Sequence, residues 1–192
     1  QGYSKCFEGV ISLRSRYNNG DIGMSHAKNK VIWCLNKAKK ELKEEGKHRG
    51  LIQVEPNKVK ALEHIKKAEH NLEGAINFHK IGFSDWSASA FFYSMYQSFL
   101  AIAIKSGYES GNQECTFALM HYLIEEKKID IDKELIDKVA TLDVQKEEEK
   151  STSVEIREKY QYGTGLSIEE NLYQELLLIA KKVLSKAKTI VE

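Results

Sequence analysis

The sequence predicts an all-α protein, an antiparallel up-and-down helical bundle, and three observations carry that expectation. The first is residues 84–107, SDWSASAFFYSMYQSFLAIAIKSG, a helix-length stretch that is apolar or small almost all the way round. A helix without a fully polar face has to be surrounded by others, so this segment is the central rod. The second is a single proline, Pro56, in 192 residues. Its scarcity leaves long helices uninterrupted, since proline inside a helix costs roughly 3 kcal/mol. The third is that apolar residues recur at steps of three and four through most of the remaining chain.

The elements follow in order. Residues 1–23 stand apart as an N-terminal extension, with Asn-Asn-Gly and a weak alternation through Val10-Ile11-Ser12-Leu13. They read as a short hairpin, a disordered lead-in or residues foreign to the natural chain, and Met24 is a candidate natural start. Residues 24–192 form one domain. Ser25 caps a helix to about Glu45, with Val31, Ile32, Cys34, Leu35, Ala38 and Leu42 as its apolar stripe. Gly46 and Gly50 end it. Pro56-Asn57 open a second helix to about Ile81, whose Ala61, Ile65, Ala68, Leu72, Ala75 and His79 make a bundle seam. Gly82 closes it and Ser84 caps the central helix. Gly107–Gly111 is a turn, a helix covers about Gln113–Lys127, and a shorter one lies around Lys133–Leu142. A charged segment, Glu147–Lys150, leads into the helix carrying Arg157. After the Gly163-Thr164-Gly165 break, Ser167 and Glu170 have capping-box spacing for the last helix.

Composition narrows the function classes. Hydrophobic residues at 42% and charged residues at 30% argue against global disorder. The formal net charge of +1 gives no whole-molecule field towards nucleic acid or anionic membrane. Charge is unevenly placed, however: from Lys28 to Arg49 there are eight Lys/Arg against Glu41, Glu44 and Glu45. Such a face either touches phosphates or is simply solvated. Cys6, Cys34 and Cys115 match no zinc or disulfide spacing, so a reducing cytosol is expected. No apolar run approaches the length that spans a bilayer, so no membrane role is expected. His64, His70, His79 and His121 offer no pair at helical ligand spacing, so no metal is expected, and His79 reads as a core histidine.

The best candidate for chemistry is the run Arg157-Glu158-Lys159-Tyr160-Gln161-Tyr162-Gly163. Arginine's planar fork suits phosphate, and tyrosines stack on bases or bond a phosphate oxygen. Gly163 and Gly165 before a helix start suit an anion, but Glu169 and Glu170 in its first turn would repel one. The competing reading has Arg157 paired with neighbouring glutamates while Tyr160 and Tyr162 plug the bundle. On the central helix, Tyr93, Ser94, Tyr96, Gln97 and Ser98 are polar tips that need partners across the bundle or across a dimer seam.

Those residues resemble a known family. Asn71-Leu72, the turn ended at Gly82, the Ala90–Phe99 helix and the Arg157–Tyr162 run are together similar to a HEPN domain (higher eukaryotes and prokaryotes nucleotide-binding), over roughly residues 57–190. The likeness rests on helix order and on a small-x-x-Tyr-x-x-Tyr-x-x-Phe central helix. It implies a helical bundle that forms a homodimer. Many members are metal-independent ribonucleases of toxin–antitoxin or defence systems, and many prokaryotic ones pair with a small nucleotidyltransferase.

The family's active motif is an arginine followed four to six residues later by histidine, brought together across the dimer. Arg157 matches the arginine, whereas the position five residues on is Tyr162 and no histidine follows His121. Glu158 stands where active members prefer Asn, Asp or His. A ribonuclease of this type needs a base near neutrality, and tyrosine titrates near ~10 against ~6.5 for histidine. Losing a matched base forfeits roughly 10²–10⁴-fold in rate. The expectation is therefore a cytoplasmic dimer binding nucleotide or RNA at a seam containing Arg157, Tyr160, Tyr162, Tyr93 and Tyr96, with no cofactor. Arg157 and Tyr162 are the catalytic pair of any residual ribonuclease, and His121 is the alternative base. The other readings are an adaptor bundle for a partner such as a nucleotidyltransferase, and an active ribonuclease toxin.

Overall fold

The computed structural model describes residues 25–140 and 153–192. The chain is mostly helical, in the order α1 (His26–Glu45), β1 (Leu51–Gln53), α2 (Lys58–Lys80), α3 (Ser84–Lys105), β2 (Tyr108–Ser110), α4 (Gln113–Glu125), α5 (Lys133–Val139), α6 (Ser153–Tyr162) and α7 (Glu170–Val191). The expected all-α class holds, with one small two-stranded sheet added. Among the described residues no helix is long and apolar enough to cross a membrane. The N-terminal extension and the segment around Glu147–Lys150 lie outside the described residues.

Helix α1 starts where Ser25 accepts a hydrogen bond from the Lys28 amide, 3.2 Å, and stops at Gly46, whose φ of 68° is left-handed. Its stripe is narrower than expected. Ala27, Val31, Cys34 and Ala38 are buried, whereas Ile32, Trp33 and Leu42 face outward. Small side chains at the contact let the following loop come very close. A Cβ on Gly50 would stand 2.2 Å from the Cys34 carbonyl oxygen, so glycine is required there.

Helices α2 and α3 form an antiparallel hairpin about Gly82. Asn57 caps α2 by accepting from the Lys60 amide, 2.9 Å. The seam expected along α2 is present, with Ala61, Ile65, Ala68 and Ala75 buried against α3. The polar tips of α3 find partners across and along it: Ser87 and Ser94 donate to the Ala75 and Ala68 carbonyls at 2.7 and 2.8 Å, Ser98 donates to the Ser94 carbonyl, and His64 Nδ1 lies 2.7 Å from Gln97 Oε1. Each such bond contributes about 1 kcal/mol net, and more is lost if a buried partner is stranded. Helix α3 is the centre of the core, with Phe91, Phe92, Met95, Phe99 and Ile102 buried against residues such as Phe117, Met120 and Leu123 of α4 and Leu176 of α7.

Four local expectations are corrected. Residues 108–110, read as part of a turn, pair antiparallel with 51–53 in the register Leu51↔Ser110, Ile52↔Glu109, Gln53↔Tyr108. Three-residue strands carry too little alternation to be read as strands. Ser84 is not the cap of α3; Phe83 is, and the Ser84 hydroxyl instead accepts from the Ile168 amide, 3.1 Å. The Ser167–Glu170 box does not form, because α7 begins at Glu170 with Glu169 at the cap. Glu170 is drawn off to His79 Nε2 at 3.3 Å and to Gln174 at 2.7 Å. Lastly, Cys34 and Cys115 form a disulfide joining α1 to α4 across 81 residues, Cα–Cα 5.9 Å. Sequence spacing could not show that pairing, and the cysteines no longer argue for a reducing compartment.

Candidate functional site

Helix α6 lies on α3 and touches α5. Its inward face carries Ile156 and Arg157, both buried. Arg157 is 8% exposed, so this charged group has left water almost entirely. Its guanidinium carbon sits 4.9 Å from the ring centre of Phe92, a cation–π contact that offsets part of the desolvation. One terminal nitrogen donates to Glu158 Oε1 at 2.9 Å. Among the described residues the buried Nε proton has no hydrogen-bond partner. The guanidinium is therefore held from below by an aromatic ring and closed on one edge by a half-exposed carboxylate, whose side chain is 55% exposed.

Phe92 gathers the central-helix tyrosines to the same place. Tyr96 stacks on it, ring centres 5.9 Å apart and planes at 8°, and Tyr93 meets its edge at 5.4 Å. The Tyr96 hydroxyl lies 3.3 Å from Thr116 Oγ1. Burial pushes the Tyr96 hydroxyl above its ordinary value, the Thr116 hydrogen bond works against this, and nearby Tyr93 adds to it. Tyr96 is thus a neutral phenol near physiological pH, a hydrogen-bonding group and no base. Tyr93 is 39% exposed and open to a ligand or partner.

The other two candidates stand elsewhere. Tyr160 packs partly buried against the core, with Gly165 placed so that an added Cβ would meet its ring at 3.6 Å. It plugs the turn between α6 and α7. Tyr162 ends α6 at 76% exposure. Five residues correspond to about 140° beyond a full turn, so Tyr162 faces out while Arg157 faces in. Among the described residues no hydrogen bond or ring contact joins Arg157 to Tyr160 or Tyr162. The structure brings Arg157, Tyr93 and Tyr96 together around Phe92, and leaves Tyr162 outside that group within one chain.

The two histidines of interest are engaged elsewhere. His121 Nε2 lies 3.2 Å from Asp137 of α5. His79 stacks on Tyr173, ring centres 3.7 Å apart, and faces Glu170. Burial raises the Tyr173 hydroxyl above its ordinary value, and Glu170 adds to the shift. Among the described residues no cluster of three or more His, Cys, Asp or Glu stands ready to hold a metal.

Sequence reasoning missed Phe92 as part of the site, whereas the pairing of Arg157 with Glu158 is the one the competing reading expects. Phe92 is one of several apolar residues on α3, and nothing in its type marks it. Glu158 was legible both as a departure from the family motif and as a neighbouring carboxylate for Arg157. Large apolar side chains are exposed at the start of α3 and after α6: Phe83, Trp86 and Leu166 are 55%, 56% and 83% exposed. They share one end of the molecule, because Ile168, two residues past Leu166, bonds Ser84 at the start of α3. No protein-family model matches this chain, and no curated protein matches it.

Proposed function

We propose that this chain is a HEPN-type helical bundle that binds a nucleotide or RNA through Arg157, at a seam between two copies of itself, with weak or no cleavage. The observation that carries this reading is Arg157: a buried guanidinium held on Phe92, beside two tyrosines, with an unpaired Nε. A structural arginine is normally saturated by carboxylates or carbonyls; among the described residues this one has a carboxylate on one terminal nitrogen and no partner on Nε. An anion would reach it along the edge now closed by Glu158. The seam is supported by Trp86, Tyr93, Phe83 and Leu166, since exposed apolar surface of this kind marks contact sites. Tyr162, outward on its own chain, would then meet the Arg157 of a second copy.

Weak cleavage follows from the side chains. Position 162 supplies a phenol, Tyr96 is held neutral, and His121 is committed to Asp137. The cellular setting in this reading is a cytoplasmic toxin–antitoxin or defence pair. There the Cys34–Cys115 bond would be guarded by its burial, both sulfurs being fully covered. The same apolar surface also favours a second reading, in which it seats a different chain such as a small nucleotidyltransferase and the protein is an adaptor.

The test is to measure the molar mass in solution, and then binding and turnover of single-stranded RNA and ATP, for the wild type, Arg157→Ala and Glu158→Gln. A dimer that binds without cleaving, and loses binding in Arg157→Ala, is the expected result. Glu158→Gln should bind more tightly, because a half-exposed pair contributes about 0–1 kcal/mol, up to roughly fivefold. RNA loss that disappears in Arg157→Ala would establish a ribonuclease instead. A folded protein that binds neither ligand leaves the adaptor.

A further inference from the structure

We propose that the outward face of α1 is a second binding surface, for single-stranded nucleic acid, on which Trp33 stacks a base and the surrounding lysines seat the phosphates. Trp33 is 46% exposed at the middle of the helix. Burial is usual for an indole, and this half-exposed ring instead lies under lysine ammonium groups that a stacking base would displace. It is set among ammonium groups: Lys30 Nζ lies 4.2 Å and Lys37 Nζ 5.2 Å from the ring centre. Residues 30, 33, 37 and 40 recur at helical spacing, so Lys30, Trp33, Lys37 and Lys40 share one face.

Charge complementarity selects the occupant. The stretch from Lys28 to Arg49 holds eight Lys/Arg against three Glu in a chain whose net charge is +1, so the rest of the molecule is net acidic. Carboxylates do face this surface. Lys30 pairs with Glu114, and Lys37 lies 4.0 Å from Glu41. Glu41 is in turn engaged by the Arg49 amide at 2.6 Å. These pairs engage the two lysines that lie over the ring, while Lys39, Lys40, Lys43 and Lys47 remain exposed. A membrane surface would need a broad apolar stripe, and beside Trp33 this face offers lysines. A single strand supplies both a stackable base and regularly placed negative charge, which is what an aromatic among lysines recognises.

The surface is separate from the Arg157 site and does not rest on it. Helix α1 packs on α4 and β1, whereas α6 packs on α3 and α5.

The test is fluorescence anisotropy of a labelled oligouridylate of about 12 nucleotides with the full chain, across a salt series. Trp33→Ala should weaken binding roughly tenfold or more, Trp33→Phe should restore most of it, and Lys37→Gln/Lys40→Gln should lower the salt slope by about one to two. All these side chains lie at the surface, and unchanged melting midpoints would verify folding. Arg157→Ala run alongside separates the two sites. If Trp33→Ala binds within twofold of the wild type, or the wild type does not bind, the α1 surface is refuted. Loss in Arg157→Ala with no effect of Trp33→Ala would overturn this inference while leaving the proposed function standing; the reverse pattern would do the opposite.

Discussion

Removing the covalent tie between α1 and α4 should strongly destabilise this molecule. The Cys34–Cys115 bond closes a loop of 81 residues. In the chain-entropy picture, a loop of that size gives the unfolded chain about 4.5 kcal/mol more freedom when opened, and typical measured losses are about 2–4 kcal/mol. Little else compensates. The buried residues of α1 are Ala27, Val31, Cys34 and Ala38, none with a large side chain, so hydrophobic burial along this helix is modest. For a chain of this length, a loss of about 4 kcal/mol corresponds to a melting midpoint lower by roughly 8 to 16 °C. The assay is calorimetry of the oxidised protein, of the protein reduced with a dithiol while unfolded and then refolded, and of Cys34→Ala/Cys115→Ala. The reduced protein and the double variant should melt alike, both well below the oxidised form. Thiol titration of the denatured, unreduced protein should find one group, that of Cys6. Three titratable thiols, or midpoints within about 2 °C of one another, would refute the reasoning.

Two further outcomes follow from local geometry. Burial lowers the His121 pKa, Asp137 and Glu125 oppose that, and Lys133 reinforces it. With the folded value below the ordinary one near ~6.5, the histidine binds its proton more readily when unfolded. Its contribution to stability is thus full above that pH and is lost as the pH falls through the folded value. Urea midpoints at pH 7.5 and 5.5 should differ less in His121→Gln than in the wild type, and an equal difference in both would sink this account. Gly50→Ala would drive a methyl group against the Cys34 carbonyl at 2.2 Å. Overpacking of that kind costs about 1–3 kcal/mol, and hydrogen exchange of the α1 amides should quicken; unchanged protection would show that the loop yields without disturbing the helix.

How far the chain could be read in advance depended on the length over which each signal repeats. Helices α2 and α3 span many turns, so Ala61, Ile65, Ala68 and Ala75 declare their seam by repetition alone, and the apolar circumference of 84–107 could only be a central helix. The strands at 51–53 and 108–110 are too short to repeat anything. The Cys34–Cys115 bond depends on which helices become neighbours, which residue type does not state. The capping serines failed for a shared reason: Ser84 and Ser167 have the right chemistry at plausible places, but long-range partners, the Ile168 amide and His79 acting on Glu170, decided the matter. At the candidate site, Arg157 and the central-helix tyrosines were legible as polar groups amid apolar ones. Tyr162 was paired with Arg157 through the family motif, whose two members meet across a dimer, and within one chain helical rotation parts them.

The narrow inner edge of α1 also bears on how this protein can change. A helix seated through two alanines, Val31 and one sulfur bridge asks little of its outer residues for stability, so those positions can be reshaped without disturbing the interior. Helix α3 has no such freedom, because nearly every side chain it bears is shared with a neighbour. Variation should therefore gather on the outside of the first helix, where a new specificity can be tried at little risk to the fold.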